Sequence, residues 1–267
     1  MAPSLPTAFD LTGRTALVTG AGSPTGIGMG CARLLAQCGA RVVVTATTGR
    51  VHQRVAELVG AGHLASGVVA DLTTVEGAAA AVAAAVELGG GLDVLVNNAG
   101  MVATAAGGDY LEGDLLGTPP ERWAASLARN LDTAYLTTRA ALPLLRASGH
   151  GRVVMVTSVT GAAMAMRGEV GYAAAKAGLV GLTRALAVDE ARHGITVNAV
   201  APGWVSTGSQ TPAEAREGLL TPVGRSGTAQ EVAAAVVFLA GPGAAYVNGQ
   251  VLVVDGGNTV AEERLPH

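Results

Sequence analysis

Short runs of β-branched and other apolar residues recur along the chain, at Thr15–Thr19, Arg41–Thr45, Gly67–Ala70, Asp93–Val96, Arg152–Thr157, Thr196–Val200 and Val251–Val254. Most are near-continuous rather than alternating, the pattern of strands covered on both faces of a parallel sheet. Between them lie longer Ala- and Leu-rich segments with helical spacing, at about 26–38, 51–60, 74–88, 119–147, 170–192 and 228–240. Such alternation predicts a doubly wound α/β architecture, with helices on both faces of the sheet. Abundant alanine lets those helices lie close to it. The longest loop is the polar, Pro-containing stretch 206–222, with a short helix expected at Pro212–Glu217; loops of that length often act as lids or binding loops.

Composition narrows the picture. The chain has 267 residues, 49% hydrophobic and 14% charged, with 38 glycines and only 3% aromatics. That length allows one large domain or two small ones, and with no linker, repeat or charge block in view a single domain over residues 1–267 is expected. The positive mean hydropathy, +0.41, excludes a disordered tail protein. A net charge of −3 offers no basic surface for nucleic-acid phosphates. Apolar stretches such as Ala78–Val86 and Val232–Ala240 fall short of the ~20 residues a spanning helix needs. The opening MAPSLPTAFD lacks the basic and apolar regions of a secretory signal. Cys31 and Cys38, seven apart in one expected helix, read as buried reduced thiols, and the five histidines form no close metal-ligand pair. A soluble cytoplasmic protein without a metal, a nucleic-acid partner or a membrane anchor is expected.

Candidate chemistry follows the strands. The first runs into Thr19-Gly20-Ala21-Gly22-Ser23-Pro24-Thr25-Gly26-Ile27-Gly28 and then a helix. Glycine lets backbone approach a diphosphate, and free helix N–H groups bind it; a tight structural turn would look similar. The second strand ends in Ala46-Thr47-Thr48-Gly49-Arg50, with no acid to take a ribose 2′-hydroxyl. Hydroxyls and an arginine suit a 2′-phosphate, favouring NADP(H) over NAD(H), although Arg50 is also an ordinary solvated charge at a helix start. Asp71, in Ala70-Asp71-Leu72, fits either a bond to an adenine amino group or a helix N-cap. The asparagines of Asn97-Asn98-Ala99-Gly100 either tie strands together or line a cofactor cleft.

Tyr172 and Lys176 stand four apart in an Ala-rich helical segment, so both point to one face. A nearby ammonium favours the phenolate and brings a tyrosine toward useful acid–base chemistry. Ser158 closes the fifth strand, at the edge where ligands bind in such sheets; its hydroxyl serves a substrate carbonyl or a helix cap. Asn130 lies in mid-helix, against propensity, and binds water, kinks the helix or is structural. Pro202-Gly203-Trp204-Val205-Ser206-Thr207 follows the sixth strand and supplies turn backbone and a hydroxyl.

In that order, with the terminal Val254-Asp255-Gly256-Gly257, these residues resemble the short-chain dehydrogenase/reductase family from Thr15 to Gly257. The likeness is greatest to 3-oxoacyl-acyl-carrier-protein reductases, notably in Thr45–Thr48 and Tyr246–Gly257. The resemblance implies a single Rossmann-type domain with seven parallel strands. It implies Tyr172 as acid/base, Lys176 lowering its pKa and holding ribose hydroxyls, Ser158 orienting the substrate oxygen, and Asn130 holding a relay water. Cofactor contacts would come from Gly20, Ser23, Thr25, Gly26, Ile27 and Gly28, then Thr47, Thr48 and Arg50, then Asp71 and Leu72. Asn98, Ala99 and Gly100 follow, then Tyr172 and Lys176, and lastly Pro202, Gly203, Val205 and Thr207.

The implied activity is NADPH-dependent reduction of a 3-oxoacyl thioester or similar β-keto substrate, as in fatty acid or polyketide metabolism. The alternatives are a secondary-alcohol dehydrogenase for a sugar, steroid or xenobiotic, and a non-catalytic cofactor sensor or scaffold. A substrate carried on acyl carrier protein or CoA would favour a basic rim, for which Arg167, Arg216 and Arg225 are candidates. Met164 and Met166 line an apolar substrate pocket or simply pack. A homotetramer is implied, with helices 119–147 and 170–192 pairing between subunits through small residues such as Ala173–Ala175, Ala177 and Gly178. Two departures stand out. Five residues separate Gly20 from Gly26, two more than the family's Thr-Gly-x-x-x-Gly-x-Gly, and the loop lacks the basic residue common in NADP-specific members. Ser158 and Tyr172 stand fourteen apart, one more than is common.

Overall fold

The computed structural model describes residues 5–101 and 113–262; the first four residues of the N-terminal stretch lie outside them. The elements in chain order are β1 Thr15–Val18, α1 Ile27–Gln37, β2 Arg41–Ala46, α2 Arg50–Gly60, β3 Ala65–Val69, α3 Val75–Gly89 and β4 Val94–Asn97. Then come α4 Pro120–Leu127, α5 Thr133–Ser148, β5 Arg152–Val156, α6 Val159–Ala162, α7 Val170–Glu190 and β6 Thr196–Pro202. The last are β7 Val205–Ser206, α8 Pro212–Leu219, β8 Gly227–Thr228, α9 Ala229–Ala240 and β9 Val251–Val254.

Seven strands form one sheet in the order β3-β2-β1-β4-β5-β6-β9. Every pairing is parallel. This is the doubly wound α/β fold expected from the sequence. Alternate residues of each strand face opposite sides. Val18, Val42, Val44 and Val96 pack with α1 and α9 on one face. Leu17, Val43, Leu95 and Met155 pack with α3, α5 and α7 on the other. That double burial explains the near-continuous apolar runs. The chain winds outward from β1 to β3, then returns to β4 on the other side of β1. The reversal opens a crevice at the carboxyl ends of β1 and β4.

Most boundaries shift by a residue or two, and four of the differences have a structural reason. The third strand spans Ala65–Val69 rather than Gly67–Ala70. It is an edge strand pairing only with β2, so Ala65 and Ser66 join the ladder without a strong apolar signal. The helix expected at 119–147 is interrupted by a π-helical turn, Ala128–Asp132, between α4 and α5. The sixth strand continues to Pro202, because β9 pairs with it from Ala199 to Pro202. The short helix at Pro212 runs on to Leu219, started by a reciprocal capping box between Thr211 and Glu214. The small β7–β8 pair, joining Val205 to Gly227, was not legible as strands.

Cys31 lies in α1 and Cys38 at its end, both buried and reduced; burial pushes the Cys31 thiol up to about 12. Among the described residues no helix is long and apolar enough to cross a membrane.

Candidate active site

The crevice holds a cavity of about 340 Å³ walled by the ends of β5 and β6 and by residues of α6, α7 and α8. The glycine loop leads into this wall at Ile27. The Thr19 hydroxyl donates to Val96 O (3.2 Å) and accepts from the N–H groups of Asn98 and Ala99, both at 2.9 Å. Asn98 Nδ2 donates to Thr19 O (2.9 Å) and Gly20 O (3.0 Å). Across the other side, Gly20 N–H reaches Thr45 Oγ1 (3.3 Å) and Ala21 N–H reaches Thr45 O (2.8 Å). The loop is thus tied to β2 and β4 before α1 begins. Gly26 at the α1 N-cap brings no side-chain acceptor, so no side chain caps that helix N-terminus.

The remaining residues expected to meet a cofactor lie along the same edge. Thr47, Thr48 and Arg50 are exposed beyond β2, with Arg50 Nε donating to Thr48 Oγ1 at 3.1 Å. Asp71 is exposed and accepts from Thr73 N–H (3.0 Å) and Oγ1 (2.7 Å), first the hydroxyl and then the amide holding its carboxyl below the usual range. The cap of α3 is Thr74, which accepts from Gly77 N–H, rather than Asp71. The Leu72 side chain belongs to the core, leaving only its backbone for a ligand. Asn97 turns inward and donates to Thr138 Oγ1 at 2.8 Å, tying β4 to α5. Ile27, Asn98, Gly100, Pro202, Gly203, Val205 and Thr207 all reach the cavity wall. Ser23 and Thr25 form the lengthened part of the loop, and the Thr25 hydroxyl accepts from Gly208 N–H at 2.9 Å.

Ser158, Tyr172 and Lys176 share that wall. Tyr172 is the third residue of α7, and Lys176 follows one turn later with Nζ 5.6 Å from the centre of the phenol ring. Lys176 is 4% exposed and donates to Val156 O at 3.1 Å. Desolvation pulls its ammonium down to about 8. Ser158 caps α6, its Oγ accepting from Thr160 N–H at 3.1 Å. That bond uses one acceptor lone pair and leaves the serine O–H free to donate. Thr157 Oγ1 donates to Lys176 O at 2.8 Å, clamping α7 to β5.

Asn130 sits in the π-helical turn, fully buried. Its Nδ2 donates to Met101 O and Ser126 O, both at 3.1 Å, while its Oδ1 has no partner among the described residues. Gly100 lies against that oxygen. A Cβ at Gly100 would come within 2.7 Å of Asn130 Oδ1 and 3.3 Å of Lys176 Nζ, and its φ of +148° disfavours any other residue. Four residues scattered over the sequence thus converge beside one cavity.

A family profile described as enoyl-(acyl carrier protein) reductase matches residues 20–259. The chain is 38% identical to Oxidoreductase UcpA of Escherichia coli over 264 residues, covering 94% of this chain and 97% of that protein. It is 39% identical to the 3-oxoacyl-[acyl-carrier-protein] reductase FabG of Vibrio cholerae, covering 93% and 98%. The chain belongs to the short-chain dehydrogenase/reductase family. Among solved structures of this family, a candidate gluconate dehydrogenase of Agrobacterium tumefaciens superposes with a TM-score of 0.87 at 35% identity, covering 96% of this chain and all (100%) of that one. A dehydrogenase/reductase from Sinorhizobium meliloti gives 0.85 at 33% identity, covering 96% and 98%.

As a short-chain dehydrogenase/reductase, the chain is an NAD(P)-dependent oxidoreductase acting on CH–OH or carbonyl groups. Its residues fit such a cofactor. The α1 N-terminus without a side-chain cap suits a diphosphate, and the buried ammonium of Lys176 suits hydroxyl acceptors at the cavity.

Several residues of the site escaped the sequence reading. Thr19 and Thr45 organise the glycine loop, and a Thr at the carboxyl end of each of the first two strands was the available signal. Glu169, Glu214, Glu217 and Asn258 line the cavity, as do Met164 and Met166, which the sequence already offered as pocket-lining or packing residues. No sequence pattern linked these acids. Arg167, Arg216 and Arg225 do not line it, and Arg225 pairs with Glu231 at 2.6 Å.

Proposed function

We propose that this enzyme is an NADP(H)-dependent carbonyl reductase in which Tyr172 is the proton donor to a ketone. The convergence of Tyr172, Lys176, Ser158 and Asn130 beside one cavity carries the reading. The bound nicotinamide supplies the hydride. Ser158 donates to the substrate carbonyl oxygen and holds it for the Tyr172 hydroxyl. Lys176, as the ammonium, favours the phenolate left after proton transfer. The unpartnered Asn130 Oδ1 accepts from a water that returns protons toward Lys176. The preference for NADP(H) rests on Thr47, Thr48 and Arg50 at the end of β2, where no acid stands.

A β-keto substrate such as a 3-oxoacyl thioester, on acyl carrier protein or CoA, is the first substrate to test, on the strength of the FabG likeness. The assay follows absorbance at 340 nm with NADPH or NADH and an acetoacetyl thioester. Absence of turnover with every carbonyl tried overturns the assignment.

One observation favours a second substrate reading, the secondary alcohol of a sugar or other hydroxylated compound. Glu169, Glu214 and Glu217 line the cavity, and Lys176 is the only lysine or arginine on its wall among the described residues. Carboxylates accept from hydroxyl donors and oppose the phosphates of a thioester carrier. The same assay run as NADP⁺ reduction with polyols against thioesters separates the two.

The proposal extends to a homotetramer. Tyr135 on α5 and Val188 on α7 are exposed, as are Leu252 and Val253 on the edge strand β9. Light scattering after gel filtration tests it, and a monomer refutes it. A cytoplasmic location and one domain over residues 1–267 complete the reading.

A further inference from the structure

The first glycine loop, two residues longer than the family pattern, makes a contact outside itself. Ser23-Pro24-Thr25 makes a turn closed by Gly26 N–H to Ser23 O at 3.3 Å. Its base is pinned. Pro24 O accepts from Arg33 Nη1 at 2.9 Å, and Arg33 Nη2 pairs with Glu57 of α2 at 2.8 Å. Its tip reaches a segment 183 residues further along the chain, where Thr25 Oγ1 accepts from Gly208 N–H at 2.9 Å. A Cβ on Gly208 would lie 2.9 Å from that oxygen, so a side chain there would crowd the contact.

Gly208 belongs to a segment held firmly on its other side. Val205 and Ser206 pair with Gly227 and Thr228. Gln210 N–H donates to Thr207 O (3.1 Å), and Gln210 Nε2 donates to Ser226 Oγ (2.8 Å). Thr207, Ser209 and Gln210 line the cavity from this side, and Ile27 lines it from the glycine-loop side. The Thr25–Gly208 bond therefore joins the two lips of the crevice. A ligand long enough to touch both the α1 N-terminus and Thr207 spans the two segments that this bond joins.

We propose that Thr25 is a positioning residue that straps the Val205–Gln210 segment to the glycine loop and thereby slows release of the dinucleotide. The proposal rests on the reading that the crevice binds NADP(H). The strap holds the Val205–Gln210 wall at a set distance from the glycine-loop wall. Cofactor release then requires the bond to open, and the hydroxyl at position 25 sets how often it does.

Thr25→Val keeps the shape and removes the acceptor, while Thr25→Ser keeps the hydroxyl. Two readouts are needed. Amide hydrogen exchange at Gly208, followed by NMR on cofactor-free protein, reports the bond itself. Stopped-flow displacement of NADPH, followed by nicotinamide fluorescence, reports release. Loss of one hydrogen bond predicts exchange and release each faster by roughly two- to tenfold in Thr25→Val, with Thr25→Ser close to wild type in both. Gly208→Ala, acting from the other partner, should match Thr25→Val. Unchanged exchange in Thr25→Val overturns the strap. Unchanged release, or failure of serine to restore it, overturns the positioning role. Wild-type protein that binds neither NADPH nor NADH overturns instead the reading beneath the proposal, and the exchange measurement still decides the bond.

Discussion

Lys176 Nζ lies 5.6 Å from the centre of the Tyr172 ring and is held there by its hydrogen bond to Val156 O. The ammonium is anchored to β5 while the phenol rides on the first turn of α7. Burial weakens the ammonium's hold on its proton, yet at about 8 it stays mostly charged at neutral pH. It therefore remains able to favour a phenolate one helical turn away.

Tyr172→Phe removes the proton donor and little volume. Turnover should fall by roughly 10²- to 10⁴-fold or more, while NADPH affinity, read by fluorescence titration, changes little. Retained turnover would displace Tyr172 from the acid/base role.

Lys176 also carries a pH signature in folding. Its pKa is near 8 in the folded protein, below the unfolded value of 10.5. Between those values the unfolded chain binds more protons, so stability rises with pH through this window. Its unfavourable contribution is fully present below about pH 8 and is lost on approaching 10.5. Urea unfolding of wild type and Lys176→Met from pH 7 to 10.5 should show wild type gaining on the variant by up to roughly 3 kcal/mol. Parallel curves would show that the buried ammonium bears no such penalty.

Gly100→Ala sets a methyl group 2.7 Å from Asn130 Oδ1 and 3.3 Å from Lys176 Nζ, at a positive φ. Stability should fall by about 1–3 kcal/mol, and turnover should fall more than NADPH affinity. Calorimetry and a kcat-against-KM comparison check both parts.

Arg50→Ala tests the cofactor assignment. A charge-assisted bond to a 2′-phosphate predicts a loss of roughly tenfold or more in NADPH affinity, with NADH little affected. Equal effects on both cofactors would make Arg50 a solvated surface charge at the start of α2.

The strands that pack on both sides were legible because burial on two faces leaves an unbroken apolar run, as in Val42-Val43-Val44. β3 starts two residues before and ends one residue before the apolar run because an edge strand is only half buried. Tyr172 and Lys176 could be paired from spacing alone, since one helical turn is a local relation. The π-helical turn could not. It is the form in which Asn130 reaches Met101 O and lies against Gly100, and neither neighbour is close in sequence. Asp71 illustrates the converse, since its carboxylate is bound by Thr73, two residues away, and the helix cap falls to Thr74.

By itself, then, the sequence determined the alternating α/β order, the glycine turn after β1 and the identity of four candidate catalytic side chains. These are readable because backbone geometry and hydrophobic burial act over a few residues. Only the tertiary structure decided that Gly100 separates Asn130 from Lys176, that acids from α8 and the start of α7 line the cavity, and that Thr25 meets Gly208. Those contacts join residues far apart in sequence, and their distances follow from how the helices pack on the sheet rather than from any local pattern.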